Sequence, residues 1–211
     1  MTFSVSSGII SGSGKNKAQK EPEKHEKTET KKETLALGKM KVLFSEKQID
    51  DRVREMGAQI SKDYANKQLI VVGLLKGAFM FLSDLVKRIT VPMEIDFMIL
   101  SSYEGTNSRG SVCVQKDMQT DPMGKDILIV EDLIDTGTTL AWLCHHLQSK
   151  KCKSVRLCTF LNKQTSRRIK QVNIDYVGFE CTDEFVVGYG MDYNQQLRNL
   201  PYVGFFEQEK L

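Results

Sequence analysis

The sequence predicts an α/β fold, a twisted, mainly parallel sheet flanked by helices. Three observations carry that expectation. The stretches at 68–75 and 127–130 are almost continuously apolar, as suits strands buried on both faces. Ile49, Val53, Met56, Ile60 and Tyr64 recur at the spacing of a helix face. Strand-like and helix-like stretches alternate along the chain, the pattern of parallel strands joined by crossover helices.

Composition bounds the problem. The chain has 211 residues, 40% of them hydrophobic and 27% charged, which suits one sizeable core. A net charge of +3 gives no electrostatic case for nucleic acid or an anionic membrane as partner. No apolar run reaches the roughly 18 residues that a membrane span needs. The first residues lack a charged-then-apolar export signal, so secretion is not expected. Cys113, Cys144, Cys152, Cys158 and Cys181 are odd in number and form no C-x-x-C pair. They predict free thiols in a reducing compartment, without a zinc site or disulfide framework.

Residues 1–38 differ from the rest. Ser and Gly give way to Lys, Glu, Thr, Asn and Gln, which cannot bury enough apolar area to offset ordering entropy. They predict a disordered polar tail, followed by a single domain over 39–211. Within it, residues 41–44 read as a short strand. Ser45-Glu-Lys-Gln48 has the form of a capping box, and its helix is expected to run to about Ala65. A strand at 68–75, a helix at 78–88 and a strand at 93–103 follow. The Gly-, Ser- and Asn-rich stretch 104–110 predicts a hairpin tip or a lid. Strand pattern resumes at 111–116, and Asp121-Pro-Met-Gly124 marks a turn.

The stretch 127–139 organises the rest. An apolar strand ends in Glu131 and Asp132, and Asp135 precedes a hydroxyl-rich turn, Thr136-Gly137-Thr138-Thr139. Leu140, Leu143, Cys144 and Leu147 then mark a helix face. Such a turn at a helix N-terminus offers unpaired N–H groups, hydroxyls and the positive end of the dipole, which suit a phosphate. No Walker A pattern is present. The acids suit sugar hydroxyls, a metal or a base; in isolation, Asp135 and Thr136 are equally compatible with a simple N-cap. Strands at 154–161 and 174–180 flank a short helix or turn at 163–169, and short strands and loops fill 185–206. Ligands of open α/β sheets bind beyond the carboxyl ends of strands. The loops at Lys76-Gly77, 131–139 and Asn162-Lys163 are therefore expected to converge. His145, His146 and Trp142 read as packing or surface residues.

Val-Glu-Asp-Leu-Ile-Asp-Thr-Gly-Thr-Thr at 130–139 resembles the signature of the purine phosphoribosyltransferases, which bind 5-phosphoribosyl-1-pyrophosphate. Leu75-Lys-Gly-Ala78, Ser101-Ser-Tyr103, Asn162-Lys163, Phe185-Val-Val-Gly-Tyr-Gly-Met-Asp192 and Leu197-Arg-Asn-Leu-Pro201 resemble further segments of the hypoxanthine-guanine enzymes. The resemblance covers about residues 40–206. It implies the type I phosphoribosyltransferase fold, with a small hood from the two ends of the domain, and purine salvage that forms IMP and GMP and releases pyrophosphate.

The resemblance also implies roles. Glu131 and Asp132 accept from ribose hydroxyls, Asp135 is the general base at purine N7, and the run Asp135, Thr136, Gly137, Thr138 and Thr139 cradles the 5′-phosphate. Leu133 and Ile134 belong to the same substrate-binding segment. Thr138 stands where some members carry Lys, so the backbone carries the cradle there. Lys163 donates to O6 of a 6-oxopurine, which disfavours the 6-amino group of adenine. Phe185 stacks on the base, and Val186 offers backbone groups to its edge. Lys76, Gly77 and Arg198 hold pyrophosphate; Ser102 and Tyr103 begin the lid. The implied cofactor is Mg2+, met by Glu131, Asp132 and Asp192, partly through water. The peptide Leu75–Lys76 is a candidate for the cis form.

Substrates rather than nucleic acid or membrane are the implied partners. A homodimer or homotetramer is expected, with the helix after Ala78 and the Lys76 loop as interface elements. The implied location is the cytoplasm. The terminal Glu-Lys-Leu is only a distant likeness of the peroxisomal Ser-Lys-Leu address, which leaves a peroxisome-like organelle as the minor alternative. Two other functions fit parts of the pattern: a nucleic-acid-binding regulator on the same fold, and a transferase of different base specificity such as xanthine.

Overall fold

The computed structural model describes residues 39–102 and 112–207. The expectations for the tail at 1–38, for Tyr103 and the lid stretch, and for the C-terminal tripeptide lie outside the described residues.

The main sheet has the order β4-β3-β2-β5-β6-β7 among the described residues. Its strands are β2 (Leu69–Leu75), β3 (Met93–Ser102), β4 (Val112–Lys116), β5 (Asp126–Ile134), β6 (Ser154–Lys163) and β7 (Tyr176–Cys181). All neighbours pair in parallel except β3 with β4, which places one antiparallel strand at an edge. A small antiparallel sheet, β1-β9-β8, joins β1 (Met40–Phe44) to β8 (Val186–Val187) and β9 (Val203–Phe206). That second sheet is the hood expected from the two ends of the domain.

Alternation within the strands builds two cores. On β2, Leu69 and Val71 join one apolar cluster, while Ile70, Val72 and Leu74 join the other. On β5, Leu128 and Val130 take the first side, and Ile127 and Ile129 the second. Helices α1 (Glu46–Asp63) and α2 (Phe79–Val86) cover the first side, and α3 (Thr138–Ser149) the second. Helix α1 begins at the Ser45–Gln48 capping box and buries Ile49, Val53, Met56 and Ile60. Each such side chain contributes about 1.5–3 kcal/mol of burial, so packing rather than surface ion pairs fixes the helix.

Three boundaries differ from expectation, each for a reason of pairing or capping. Strand β5 runs through Glu131, Asp132, Leu133 and Ile134, which the sequence suggested were loop; Leu133 pairs with Leu161 and Ile134 with Asn162. Strand β6 likewise extends to Lys163, which pairs with Cys181 on its other side, so residues 164–169 form turns without a helix. Helix α2 is shorter than 78–88. Ala78 supplies no side-chain cap, and Lys87 and Arg88 leave the helix ahead of Pro92. All five cysteines are free. No helix among the described residues is long and apolar enough to cross a membrane.

Candidate active site

Strands β2, β5 and β6 lie side by side, so their carboxyl ends bring Gly77, the 131–139 segment and Lys163 together as expected. Past Val130 the residues of β5 line cavities, although Ile134 also joins the second apolar cluster and Leu133 packs against the first. One cavity, of about 220 Å³, is bounded by Gly77, Glu131, Leu133, Ile134, Asp135, Thr136, Gly137 and Thr139, with Leu74, Leu75, Leu100 and Leu140 as its apolar wall. A second, of about 380 Å³, is bounded by Asp132, Leu133, Asp135, Lys163, Phe185, Val186 and Asp192, together with Arg167, Asp183 and Met191. Leu133 and Asp135 border both cavities.

Backbone geometry makes the first cavity. The Leu75–Lys76 peptide is cis, as the sequence suggested. Gly77 follows, and a Cβ there would lie 1.8 Å from Asp132 Oδ2, so only glycine lets this turn close on the acid. Gly137 has φ of 77° and caps α3, where Thr138 N–H donates to Thr136 Oγ1 at 3.4 Å. Thr138 is the one residue of the expected cradle that does not border the cavity.

Electrostatics separates the acids. Burial, reinforced by the adjacent Asp132 carboxylate, pushes the Glu131 carboxyl well above the usual range. Asp135 Oδ1 is buried without a hydrogen-bond partner among the described residues, while Oδ2 lies 3.4 Å from Arg167 Nη2. Asp192 Oδ1 pairs with Arg198 Nη2 at 2.7 Å, and its Oδ2 accepts from Gln195 N–H at 2.9 Å. Arg198 Nη1 donates to Gly190 O at 2.8 Å, and Lys76 Nζ donates to Gln195 Oε1 at 3.3 Å. Lys76, Arg198 and Asp192 thus form a chain of contacts beside the two cavities.

At the second cavity, Lys163 is buried at the end of β6, and Phe185 is 61% exposed at the edge. The rings of Phe185 and Tyr193 lie nearly perpendicular, with centroids 5.9 Å apart. Ser102 ends β3, and its side chain is outside the described residues. Among the described residues no three His, Cys, Asp or Glu side chains form a metal cage.

The family profile of the phosphoribosyl transferase domain matches residues 42–194. The chain belongs to the phosphoribosyltransferase family. Other phosphoribosyltransferases that it resembles differ in length. It is 48% identical over 169 residues to the hypoxanthine-guanine phosphoribosyltransferase of Staphylococcus aureus, covering 80% of this chain and 94% of that one. It is 45% identical over 170 residues to the bifunctional protein TilS/HprT of Listeria monocytogenes, again over 80% of this chain, but spans only 26% of that relative's length. The crystal structure of a hypoxanthine phosphoribosyltransferase from Staphylococcus aureus superposes with a TM-score of 0.76 at 46% identity, covering 79% of this chain and 91% of the other.

Sequence reasoning missed Arg167, Asp183, Gln195 and the apolar wall of the phosphoribosyltransferase site. Arg167 and Arg168 follow Lys163 closely, and Asp183 stands two residues before Phe185. Charged residues that close to two site segments were the available signal. His146 is a packing residue: it stacks on Trp142 at 4.8 Å and contacts Asp117 Oδ2 at 3.1 Å.

Proposed function

We propose that this chain transfers the 5-phosphoribosyl group from 5-phosphoribosyl-1-pyrophosphate to hypoxanthine or guanine, in the cytoplasm, as part of purine salvage. The observation that carries the reading is the pair of cavities that share Leu133 and Asp135. A donor sugar phosphate and a planar base can meet there with one carboxylate between them. The names of the full-length relatives supply the base class.

The purine ring nitrogen bonds to ribose C1′ as the bond from C1′ to the pyrophosphate oxygen breaks. Asp135 takes the proton that the purine loses at N7. The turn from Asp135 through Thr139 holds the 5′-phosphate with N–H groups and hydroxyls. Glu131 and Asp132 accept from the ribose hydroxyls. A Glu131 carboxyl held above its usual range fits a pair of acids that await hydroxyl or cation partners. Lys163 donates to O6, Phe185 stacks on the ring, and Val186 meets the base edge. Arg198 and the Lys76-Gly77 backbone hold pyrophosphate. Ser102 and Tyr103 begin the segment that shields the site from water.

The acids fit magnesium. Mg2+ keeps several waters and takes one or two carboxylates plus phosphate oxygens, so a protein-only cage is not required. Asp192 would hold it, with Glu131 and Asp132 nearby in the hydroxyl network, and it would offset charge on the departing pyrophosphate. We further place self-association at α2, whose first residue Phe79 is 42% exposed; a monomer by sedimentation at micromolar concentration would contradict that.

A base panel tests the reading. Hypoxanthine and guanine, with donor and Mg2+, are expected to yield IMP and GMP with pyrophosphate, and adenine to fail. Absence of both products would overturn it. Turnover of xanthine alone would move the specificity while leaving the transfer intact.

A further inference from the structure

Arg167 stands between two carboxylates of the base-side cavity. Its Nη2 lies 2.5 Å from Asp183 Oδ1 and 3.4 Å from Asp135 Oδ2. Asp135 Oδ1 is buried, so Oδ2 is the oxygen that Asp135 turns outward, and Arg167 stands against it. A base that gives its proton to Asp135 must arrive where the guanidinium now rests.

The turn that carries Arg167 is pinned to the strands on either side. Arg168 Nη2 donates to Asn162 Oδ1 at 2.7 Å, Lys163 O at 3.0 Å and Ile134 O at 3.4 Å. It thereby ties the end of β5 to the end of β6. Arg167 N–H and Nε–H both donate to Thr165 Oγ1, at 3.1 Å and 3.4 Å. The backbone of Arg167 is therefore held relative to Asp135, while its half-exposed side chain reaches both acids. The Arg167 guanidinium keeps the Asp183 carboxyl below its usual range, which marks Asp183 as the closer partner.

We infer that Arg167 is a positioning residue for Asp135: it covers the outward oxygen of Asp135, and Asp183 draws it aside as the base docks. The inference rests on the reading of Asp135 as the proton acceptor. Other charges around the site are Glu131 and Asp132 on β5, Lys163 on β6, Arg168 beside Arg167, and Asp192 with Arg198 in the hood segment, which Lys76 meets through Gln195. One guanidinium shared by two acids sets how far Asp135 is covered. Full transfer of Arg167 to Asp183 frees the acceptor. Loss of Asp183 leaves Arg167 to Asp135 alone.

Two variants with opposite expected effects test this in the full chain, each checked for folding by its melting profile. In Asp183→Asn, which leaves Arg167 to Asp135 alone, KM for hypoxanthine rises about tenfold while KM for the donor is unchanged. In Arg167→Met, which uncovers Asp135, KM for hypoxanthine falls about threefold with donor KM unchanged. Arg167→Lys keeps charge and reach, and its KM for hypoxanthine stays near the parental value. A merely structural role would raise KM in both variants and leave Arg167→Lys no better than Arg167→Met. Unchanged KM for hypoxanthine in both variants that still turn it over would overturn the role of Arg167 alone. No turnover by the unaltered chain would overturn the transfer reading, and this inference with it.

Discussion

Arg198 holds Asp192 directly: Nη2 lies 2.7 Å from Oδ1, and the same guanidinium donates through Nη1 to Gly190 O at 2.8 Å. The hood segment therefore presents an acid and a cation already oriented toward each other. Removing the cation leaves a partly buried carboxylate without its partner and, on the proposed role, removes a donor to pyrophosphate. Arg198→Ala should lower kcat/KM for the phosphoribosyl donor by about a hundredfold, as expected for a lost charge-assisted contact. Steady-state kinetics with the donor varied at saturating base checks this. A variant as efficient as the parent would remove Arg198 from the pyrophosphate site.

Gly77 closes on Asp132, with room for hydrogen only. Gly77→Ala must push Asp132 or the Lys76 turn out of place. A displacement of about 1 Å at a reacting group can cost roughly a hundredfold in rate, so turnover should fall by that order with the fold intact. Activity near the parental level would mean that the acid moves at no cost to the reaction.

Phe185 is the large exposed ring of the second cavity. Phe185→Ala should raise KM for hypoxanthine about tenfold, the order of an aromatic stacking contact, and leave donor KM within twofold. Equal changes in both constants, read from initial rates in each substrate, would argue for a packing role.

The fold was largely legible in the sequence; the site was legible in segments rather than as a shape. Periodicity found α1 because its capping box and apolar stripe agree, and it found β2 and β5 because both faces of those strands are buried. It stopped β5 and β6 too early because Glu131, Asp132 and Lys163 look like loop residues. Their strand pairing is set by neighbours distant in sequence, Thr159 for Glu131 and Cys181 for Lys163. The same cause hid Arg167. Nothing local marks a guanidinium in a polar turn as the partner of Asp135, and only the parallel pairing of β5 with β6 brings the two together.

Outside the site, Asp96 gives a stability prediction. Burial alone would raise its carboxyl, but N–H donors from Thr120, Phe97 and Gln119 outweigh that and bring it to about 2. The folded state therefore binds this proton less readily than the unfolded chain. The resulting stability, about 2 kcal/mol, is complete above roughly pH 4 and is lost as pH falls toward 2. Asp96→Asn should lower stability by that order at neutral pH and flatten the acid part of the curve. Urea midpoints of both proteins across acidic pH check it, and parallel curves would contradict it.

Asp135 stands where the two cavities meet, and we propose that it accepts the proton of the incoming purine. Asp135→Asn is to be compared with the parent in turnover and in equilibrium binding of the donor. Turnover should be lower by about 10²–10⁴-fold with donor affinity nearly unchanged, since the amide keeps the shape but not the basicity. An equal fall in donor affinity and turnover would contradict it.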